Sequence, residues 1–374
     1  MRIGMIAPLE MRVPPLGYGG TELMVSLLTE ELIRRGHEVT LFASGDSKTT
    51  AKLVAGTEQF LRGRKGDKRI LTMLNVTACL ERADEFDLIH NHTCFEGLAT
   101  AGLVETPMLT TLHGGLADDW ILLFERYRGW YNTISRSAKR LLPQKKRFAG
   151  VIHNAIDVRS YPFNGGARDA TLLYLSRISR EKGTHLAIEV ARRVGQPLII
   201  AGNVDDADRR YFVNEVRPRI DGRLVTYVGE ADAITKRELL ATARCLLAPV
   251  TWGEPFGLFL VEAMACGTPV VALRRGSIPE VVEDGVTGYV VDSVEGMCEA
   301  LQRLNAISPE ACRKHVEEHF DLPRMADDYV AAYARILESS LESPRGPRPD
   351  AGGRRKSSPP RLSRSSDSDA NSRA

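Results

Sequence analysis

Residues 254–271 read EPFGLFLVEAMACGTPVV, and this stretch decides how the rest of the chain is interpreted. Pro255 suits the first turn of a helix, and the residue before a proline is pushed towards an extended conformation. The stretch therefore predicts a helix that begins at Pro255, with Glu254 just outside it and Glu262 about two turns in. Gly267 is expected to end this helix before a buried strand.

The start of the predicted helix suits an anion. The backbone amides of Phe256, Gly257 and Leu258 are expected to be the unpaired donors that every helix start leaves over, and the helix dipole adds positive potential there. Such a start attracts phosphate or sugar oxygens. The alternative is that Glu254 only caps its own helix and that Glu262 is one more exposed glutamate on an amphipathic face.

Short apolar runs alternate with helix-length segments outward from this stretch in both directions. Such alternation, with strands that are apolar throughout, indicates parallel sheets covered on both faces. We therefore predict an α/β fold of two doubly wound units. The predicted strands are at 3–7, 38–42, 87–89, 108–112 and 132–135 in the first unit and at 172–175, 197–201, 224–228, 245–248, 269–272 and 288–291 in the second.

The length of the chain and its changes in composition suggest how these units are divided. A chain of 374 residues is long enough for two cores, and a polar, glycine-bearing connector at 154–166 is suited to a hinge between them. Ligands of open α/β sheets bind at the ends of the strands, so the site is expected between the two units. The segment 342–374 is rich in Ser, Pro and Arg and is predicted to be a disordered basic tail.

Charge and cysteine usage exclude several classes of protein. The formal net charge is +2, of which the tail carries about +4, so the folded part is about −2 and a general nucleic-acid binder is not indicated. Six cysteines without a C-x-x-C pair imply neither a zinc knuckle nor a redox motif. With no apolar leader or long apolar run, the sequence predicts a soluble cytoplasmic protein.

The loop GYGGTE at 17–22 follows the first predicted strand. Gly19 and Gly20 allow a backbone to approach a ligand closely, and Thr21 is a good helix cap. The loop therefore suits an anion. The alternative is that its glycines serve only the geometry of a tight strand-to-helix turn.

A second basic motif, SRISREKG at 176–183, places Arg177 just after a strand and Lys182 at the next helix start. An arginine fork and a lysine point charge in one cleft would bind an anionic ligand without a metal ion. The alternative is two solvated basic residues flanking a loop.

Histidines occur in two stretches at predicted strand ends, DLIHNH at 87–92 and TTLHG at 110–114. His90 and His92 are two residues apart and no third ligand accompanies them, so we expect no metal site. His113 stands at a strand end before a glycine. The alternative is that neighbouring carbonyls satisfy its ring nitrogens.

The Glu-x7-Glu pattern within WGEPFG and EAMACGTPV resembles the retaining family 4 glycosyltransferases, as do SRISREKG and the Gly-Gly loop. The resemblance spans about residues 1–335. It implies a GT-B fold, in which two Rossmann-like domains face each other across a cleft. The domains would be an acceptor-side domain at 1–155 and a donor domain at 156–321, with a final helix at about 322–340 that crosses back.

The activity implied by the resemblance is retaining transfer of a hexose from a nucleotide diphosphate sugar to an acceptor hydroxyl. UDP-sugars are favoured as donors and GDP-sugars come next, and the nucleotide sugar is a substrate, with no metal or other cofactor required. The residues implied in donor binding or catalysis are Gly19, Gly20, His113, Arg177, Lys182, Gly229, Glu230, Glu254, Phe256, Gly257, Leu258 and Glu262. The residues expected towards the acceptor are His92, Ser135 and Asn154.

Within that set, the resemblance implies a role for each group. Gly19 and Gly20 would face the diphosphate from the opposite domain, and Arg177 and Lys182 would stabilise it as it leaves. Gly229 and Glu230 would hold the base, mostly through backbone groups. Glu262 would bind the ribose hydroxyls, Glu254 the hydroxyls of the sugar, and His113 would contact the transferred sugar.

The acceptor and two rival functions stay open at this point. Basic runs at 62–69 and 139–147 would suit an anionic acceptor or the inner face of a membrane, or they form an ordinary solvated surface. A GT-B sugar-nucleotide epimerase would convert its donor without an acceptor. A catalytically idle nucleotide-sugar sensor or partner-binding protein would have lost a phosphate ligand, whereas Arg177, Lys182, Glu254 and Glu262 are all present.

Overall fold

A computed structural model of the protein describes residues 1–17, 19–93, 95–114, 118–142 and 147–342. The predicted disordered tail therefore lies outside the described residues, apart from its first residue. Within the described residues, two separate sheets follow one another along the chain, and both are built from parallel strands. This confirms the predicted α/β fold.

The first sheet has two more strands than the sequence predicted. Its strands are β1 Arg2–Ile6, β2 Glu38–Ser44, β3 Lys52–Thr57, β4 Leu88–Asn91, β5 Met108–Leu112, β6 Trp130–Thr133 and β7 Phe148–Val151. They lie in the order β3-β2-β1-β4-β5-β6-β7. The unpredicted strands β3 and β7 are the two edges of the sheet.

The second sheet contains all six strands predicted for it. They are β8 Leu172–Leu175, β9 Leu198–Ala201, β10 Val225–Tyr227, β11 Cys245–Ala248, β12 Val270–Leu273 and β13 Gly288–Val291. Their order is β10-β9-β8-β11-β12-β13. The strand order reverses between β1 and β4 in the first sheet and between β8 and β11 in the second. In open α/β sheets, ligands bind beyond the strand ends at such switch points.

Helices cover the sheets, as expected for doubly wound units. They are α1 Gly20–Arg34, α2 Lys68–Leu80, α3 Phe95–Thr100, α4 Asp118–Arg126, α5 Arg136–Arg140, α6 Thr184–Val194, α7 Arg209–Tyr211, α8 Ala233–Thr242, α9 Leu258–Ala265, α10 Ile278–Val281, α11 Val294–Gln302, α12 Pro309–His319 and α13 Leu322–Glu342. In the described part of the chain, none of them is both long and apolar enough to cross a bilayer.

The last helix, α13, packs on the first sheet although the second sheet precedes it in sequence. Its apolar face, including Tyr329 and Tyr333, belongs to the buried core around β1 and α1. The chain passes between the two sheets at two neighbouring points. The amide of Ile156 donates to the carbonyl of Phe320, and the amide of Leu322 donates to the carbonyl of Ile156. The connector and the return crossing therefore meet in one place.

A carboxylate on the second sheet's side also contacts the first. Glu280 in α10 accepts hydrogen bonds from the amides of Arg136 and Ser137, at 2.8 and 2.6 Å, at the start of α5. His153 Nε2 lies 3.5 Å from the same carboxylate. Together with α13, these contacts hold the strand ends of the two sheets towards a common cleft.

Candidate functional site

A cleft of about 580 Å³ lies between the two sheets. Its size falls within the range of small-molecule sites. Eleven of the residues predicted for the site line it: Gly19, Gly20, His113, Asn154, Lys182, Glu230, Glu254, Phe256, Gly257, Leu258 and Glu262. Residues that are more than 200 positions apart in sequence thus form one concave surface.

A buried ion pair lies at the centre of the wall formed by the second sheet. Lys182 Nζ lies 2.5 Å from Glu254 Oε2, and the two side chains are only 6% and 7% exposed. The indole nitrogen of Trp252 donates to the same carboxylate at 3.2 Å, and Lys182 Nζ lies 4.9 Å from the centre of its ring. The ammonium and carboxylate are therefore in direct contact and largely shielded from solvent. The carboxylate does not cap the following helix.

The helix after Glu254 begins three residues later than the sequence predicted. Helix α9 starts at Leu258, and Gly257 precedes it in the left-handed region with φ of 84°. The prediction that Pro255 opens the helix is wrong because a tertiary contact decides the conformation here. The Ser277 hydroxyl donates to the carbonyls of both Glu254 and Phe256, and its amide donates to the carbonyl of Glu254.

Glu262 lies inside α9 and is 4% exposed, which rules out the alternative of an exposed surface glutamate. One of its oxygens, Oε1, accepts from the hydroxyl of Tyr161 at 2.7 Å and from Lys236 Nζ at 2.5 Å. Burial and contact with this carboxylate both raise the pKa of the Tyr161 hydroxyl. Because both contacts involve Oε1, the second oxygen is available to a ligand in the cleft.

The glycine loop of the first sheet faces this wall. Helix α1 begins at Gly20 and is preceded by Gly19, with no side-chain cap, so the prediction that Thr21 caps the helix is wrong. A Cβ atom on Gly20 would lie 3.6 Å from Leu258 Cδ1. The N-terminal ends of α1 and α9 therefore approach each other across the cleft, and both present backbone amides there.

The same loop carries a carboxylate that the sequence analysis did not single out. Glu22 lines the cleft in the first turn of α1 and is 5% exposed. Its Oε1 accepts from the amide of Met11 at 3.2 Å. Burial raises the pKa of the Glu22 carboxyl from 4.5 to about 7. Its position two residues after the Gly-Gly pair was the available signal in the sequence.

We predict that Glu22→Gln changes how stability depends on pH. Between pH 4.5 and 7 the folded protein keeps the Glu22 proton that the unfolded chain has lost, so the free energy of unfolding falls as pH rises. The variant lacks this effect. From pH 5 to pH 8 we expect the free energy of unfolding of the variant to rise by about 2–3 kcal/mol relative to that of the wild type. Urea unfolding at both pH values measures the difference, and parallel pH profiles would contradict the prediction.

The position of Arg177 differs from the sequence prediction. It is not among the residues that line the cleft, and its guanidinium instead lies among the carboxylates of Glu181, Asp205 and Asp208. The distances to Asp205 and Asp208 are 3.7 and 3.6 Å. An arginine surrounded by three acids is not presented to a ligand in this state. The sequence could not show this, because Asp205 and Asp208 lie on a different loop.

The region predicted to hold the base is only partly in the cleft. Glu230 lines it, whereas Gly229 does not. Arg62, on the side of the first sheet, lies 3.1 Å from Asp205 and 3.7 Å from Glu230. These contacts join the two sides of the cleft. Arg62 was predicted only as part of a basic run, and in this structure it pairs with acids of the second half.

Two of the three residues expected near the acceptor are not among the residues that line the cleft. Ser135 is fully buried, and its hydroxyl accepts from the amide of Ala138 as the cap of α5. His92 is 3% exposed, and its Nδ1 lies 2.8 Å from Nε2 of His113. Both side chains are hydrogen-bonded within the protein in this structure, and their place near the acceptor stays a prediction. Asn154 and His113 do line the cleft.

Lys182 owes its position to a close backbone contact next to it. Gly183 has φ of 75°, and a Cβ atom there would lie 1.9 Å from the carbonyl oxygen of Pro249. No side chain fits that space without moving one of the two loops. Gly195, at the other end of α6, also has a positive φ of 66° but has no atom within 4 Å of its Cβ position. The two glycines form a matched pair.

We predict that Gly183→Ala destabilises the protein far more than Gly195→Ala. Gly195→Ala is the control and should lower the free energy of unfolding by about 1 kcal/mol, because alanine is disfavoured in the left-handed region. Gly183→Ala adds the displacement of the backbone, so we expect a loss of roughly 3 kcal/mol or more. Urea unfolding measures both values. Equal losses would show that the contact with Pro249 does not constrain the Lys182 loop.

No group of three or more His, Cys, Asp or Glu residues suited to a metal ion is found within the ranges that the structure describes. The polar side chains that line the cleft include lysines, arginines, carboxylates, asparagines and one histidine. Tyr161, Lys236 and Trp252 are site residues that the sequence analysis missed. Nothing in their local sequence marks them, because their contacts with Glu262 and Glu254 form only in the folded chain.

Two family models match the chain, and together they cover most of it. Residues 18–160 match the model described as Glycosyltransferase Family 4, and residues 162–316 match that of Glycosyl transferases group 1. A phosphatidyl-myo-inositol mannosyltransferase of Mycolicibacterium smegmatis is 30% identical over 333 residues, which are 80% of this chain and 84% of that protein.

Solved structures show the same fold at lower sequence identity. Sucrose-phosphate synthase of Thermosynechococcus elongatus has a TM-score of 0.76 at 20% identity, over 91% of this chain and all of that one. HepE of Anabaena, solved in complex with UDP and glucose, has a TM-score of 0.72 at 22% identity, over 91% of this chain and all of that one. These likenesses concern the arrangement of the two sheets.

Proposed function

Since the chain belongs to the family 4 glycosyltransferases of the GT-B fold, we propose that it moves a hexose from a nucleotide diphosphate sugar to an acceptor hydroxyl, with retention of anomeric configuration and without a metal ion. We favour UDP-sugars as donors, with GDP-sugars next. The structures of HepE with UDP and UDP-glucose support this order.

One observation carries the proposal: two buried carboxylates, Glu254 and Glu262, each bonded to a lysine, flank the N-terminal end of α9 in the cleft. In this proposal, Glu262 binds the ribose hydroxyls through the oxygen that Tyr161 and Lys236 do not contact. Glu254 binds hydroxyls of the sugar.

The diphosphate of the donor would lie between these two carboxylates, beside Lys182 and the amides of residues 256–258. Gly19 and Gly20 approach it from the opposite wall. Cations and backbone donors aimed at the leaving diphosphate stabilise the charge that develops as the glycosidic bond breaks. Arg177 joins them only if the donor draws it away from its three acids. His113 contacts the transferred sugar.

We favour front-face attack as the route to retention. The acceptor hydroxyl would enter on the side from which the diphosphate leaves, and the diphosphate would take the proton of that hydroxyl. The protein then contributes mainly by positioning and by electrostatic stabilisation. Closure of the two halves around the crossing at Ile156 and Phe320 would exclude water and limit hydrolysis of the donor.

Turnover in chelator, with a panel of UDP-, GDP- and ADP-sugars and a panel of hydroxyl acceptors, tests this function. We expect release of the nucleotide with one donor class and an NMR spectrum of the product that shows the anomeric configuration of the donor. Inversion, or a requirement for metal, would contradict the proposal. Conversion of the donor sugar without an acceptor would indicate an epimerase, and binding without turnover an idle binder.

A further inference from the structure

The ring of His92 is buried and lies against the ring of His113, which lines the cleft. His92 follows β4 and His113 follows β5, and these strands are neighbours in the first sheet. Parallel strands end at the same edge, so the two rings meet, with centres 5.1 Å apart and planes 29° apart. His92 Nδ1 and His113 Nε2 are 2.8 Å apart, which is a hydrogen bond.

Both rings are neutral at ordinary pH. Burial lowers the pKa of His113 to about 4 and the pKa of His92 well below its usual value. Each ring then carries one proton, and the bond between them uses one of these protons. Either His92 donates from Nδ1 to Nε2 of His113, or His113 donates from Nε2 to Nδ1 of His92.

The second nitrogen of His92 decides between these arrangements. His92 Nε2 is buried and has no hydrogen-bond partner among the residues that the structure describes. If His113 were the donor, His92 would keep its proton on Nε2, where it would be a buried and unpaired N–H group. Such orphaned donors are rare and costly. If His92 is the donor, its Nε2 carries no proton and is only an acceptor without a hydrogen-bond donor.

A neighbouring histidine holds the ring of His92 in place. The rings of His90 and His92 have centres 4.0 Å apart. His90 Nδ1 lies 2.7 Å from the hydroxyl of Tyr333, and its Nε2 lies 2.7 Å from the hydroxyl of Thr111. Because Thr111 donates its own proton to Asn132, it accepts from His90 Nε2. Bonds on both nitrogens therefore fix the orientation of His90.

We propose that His92 is a positioning residue that holds His113 in the tautomer with its proton on Nδ1, so that His113 presents a hydrogen-bond donor to the sugar substrate. His113 lines the cleft, and its Nε2 is engaged by His92, which leaves Nδ1 to face the ligand. The ligand atom opposite Nδ1 is then an oxygen that accepts. The substrate side of this inference rests on the proposed function, whereas the tautomer does not.

The test compares His92→Asn with His92→Asp, two side chains of nearly equal size. The amide of the introduced asparagine can donate to His113 Nε2, whereas an ionised carboxylate can only accept from it. At pH 8 we expect His92→Asn to keep kcat within about threefold. His92→Asp should lower kcat roughly 10-fold to 100-fold, with a smaller change in KM for the donor, because Nδ1 loses its proton. Equal kcat values for the two variants would overturn the inference.

Spectroscopy tests the tautomer without any substrate. Long-range proton–nitrogen NMR spectra of the full chain with ¹⁵N-labelled histidine distinguish the two tautomers, and His113→Gln identifies the His113 signals. We expect the proton on Nδ1 in the wild type and on Nε2 in His92→Asp. A wild-type proton on Nε2 would overturn the inference even if His92→Asp fails to fold. If the expected tautomer is observed but the protein shows no turnover, only the proposed function is contradicted.

Discussion

Replacing Lys182 with methionine is expected to destabilise the protein and to slow transfer strongly, for two separate reasons. Loss of the ammonium leaves the Glu254 carboxylate buried without its cation, which typically costs about 3–5 kcal/mol. If Lys182 binds the leaving diphosphate as proposed, loss of the same ammonium should also lower kcat roughly 10²-fold to 10³-fold. Glu254→Gln should destabilise the protein in the same way.

The double variant Lys182→Met/Glu254→Gln separates these two effects. Neither charge remains in the buried position, so we expect its stability to return to within about 1–2 kcal/mol of the wild type. Its kcat should stay as low as that of Lys182→Met. Urea unfolding and the rate of nucleotide release measure the two quantities. A stable and active double variant would show that the pair has only a structural role.

Glu262→Gln is expected to abolish tight binding of the nucleotide while leaving the fold intact. The carboxylate would accept charge-assisted hydrogen bonds from the ribose hydroxyls, each contributing about 1.5–3 kcal/mol, so we expect a loss of roughly 10²-fold to 10³-fold in affinity. The amide keeps an oxygen for Tyr161 and Lys236 but offers the ribose an N–H group in place of the second acceptor.

Titration calorimetry with the nucleotide diphosphate of the active donor class measures this change. Tyr161→Phe is the matched control, because it removes one bond to Oε1 and leaves the Glu262 carboxylate itself unchanged. We expect the control to lose only about tenfold in affinity, through poorer positioning of the carboxylate. A larger loss in Tyr161→Phe than in Glu262→Gln would contradict the role given to Glu262.

The sequence predicted eleven of the thirteen described strands, and the two that it missed are edges. Strand β3 (Lys52–Thr57) is only partly buried, and β7 (Phe148–Val151) is short and contains Gly150 with φ of 135°. Central strands of parallel sheets are buried on both faces and are apolar throughout, which makes them visible in a sequence. Edge strands need not be apolar throughout, so their sequences give a weaker signal.

The errors at the site have a different cause, which is contact between distant segments. Pro255 is a good local signal for a helix start, but Ser277 bonds the carbonyls of the preceding loop and delays the helix to Leu258. His92 and Ser135 carry polar side chains at strand ends, as a ligand site requires. The folded chain shows that His92 is hydrogen-bonded to His113, which follows the neighbouring strand. It also shows that Ser135 caps helix α5.

Hydrogen exchange with and without donor, in chelator, tests the central claim most directly, because it asks whether one ligand contacts both walls of the cleft. The probes are UDP-glucose, UDP-galactose, GDP-mannose and ADP-glucose at millimolar concentration. We predict that at least one of them slows exchange both at residues 19–23 of the first wall and at residues 252–262 of the second. Protection by none of them, or protection only outside the cleft, would contradict the account.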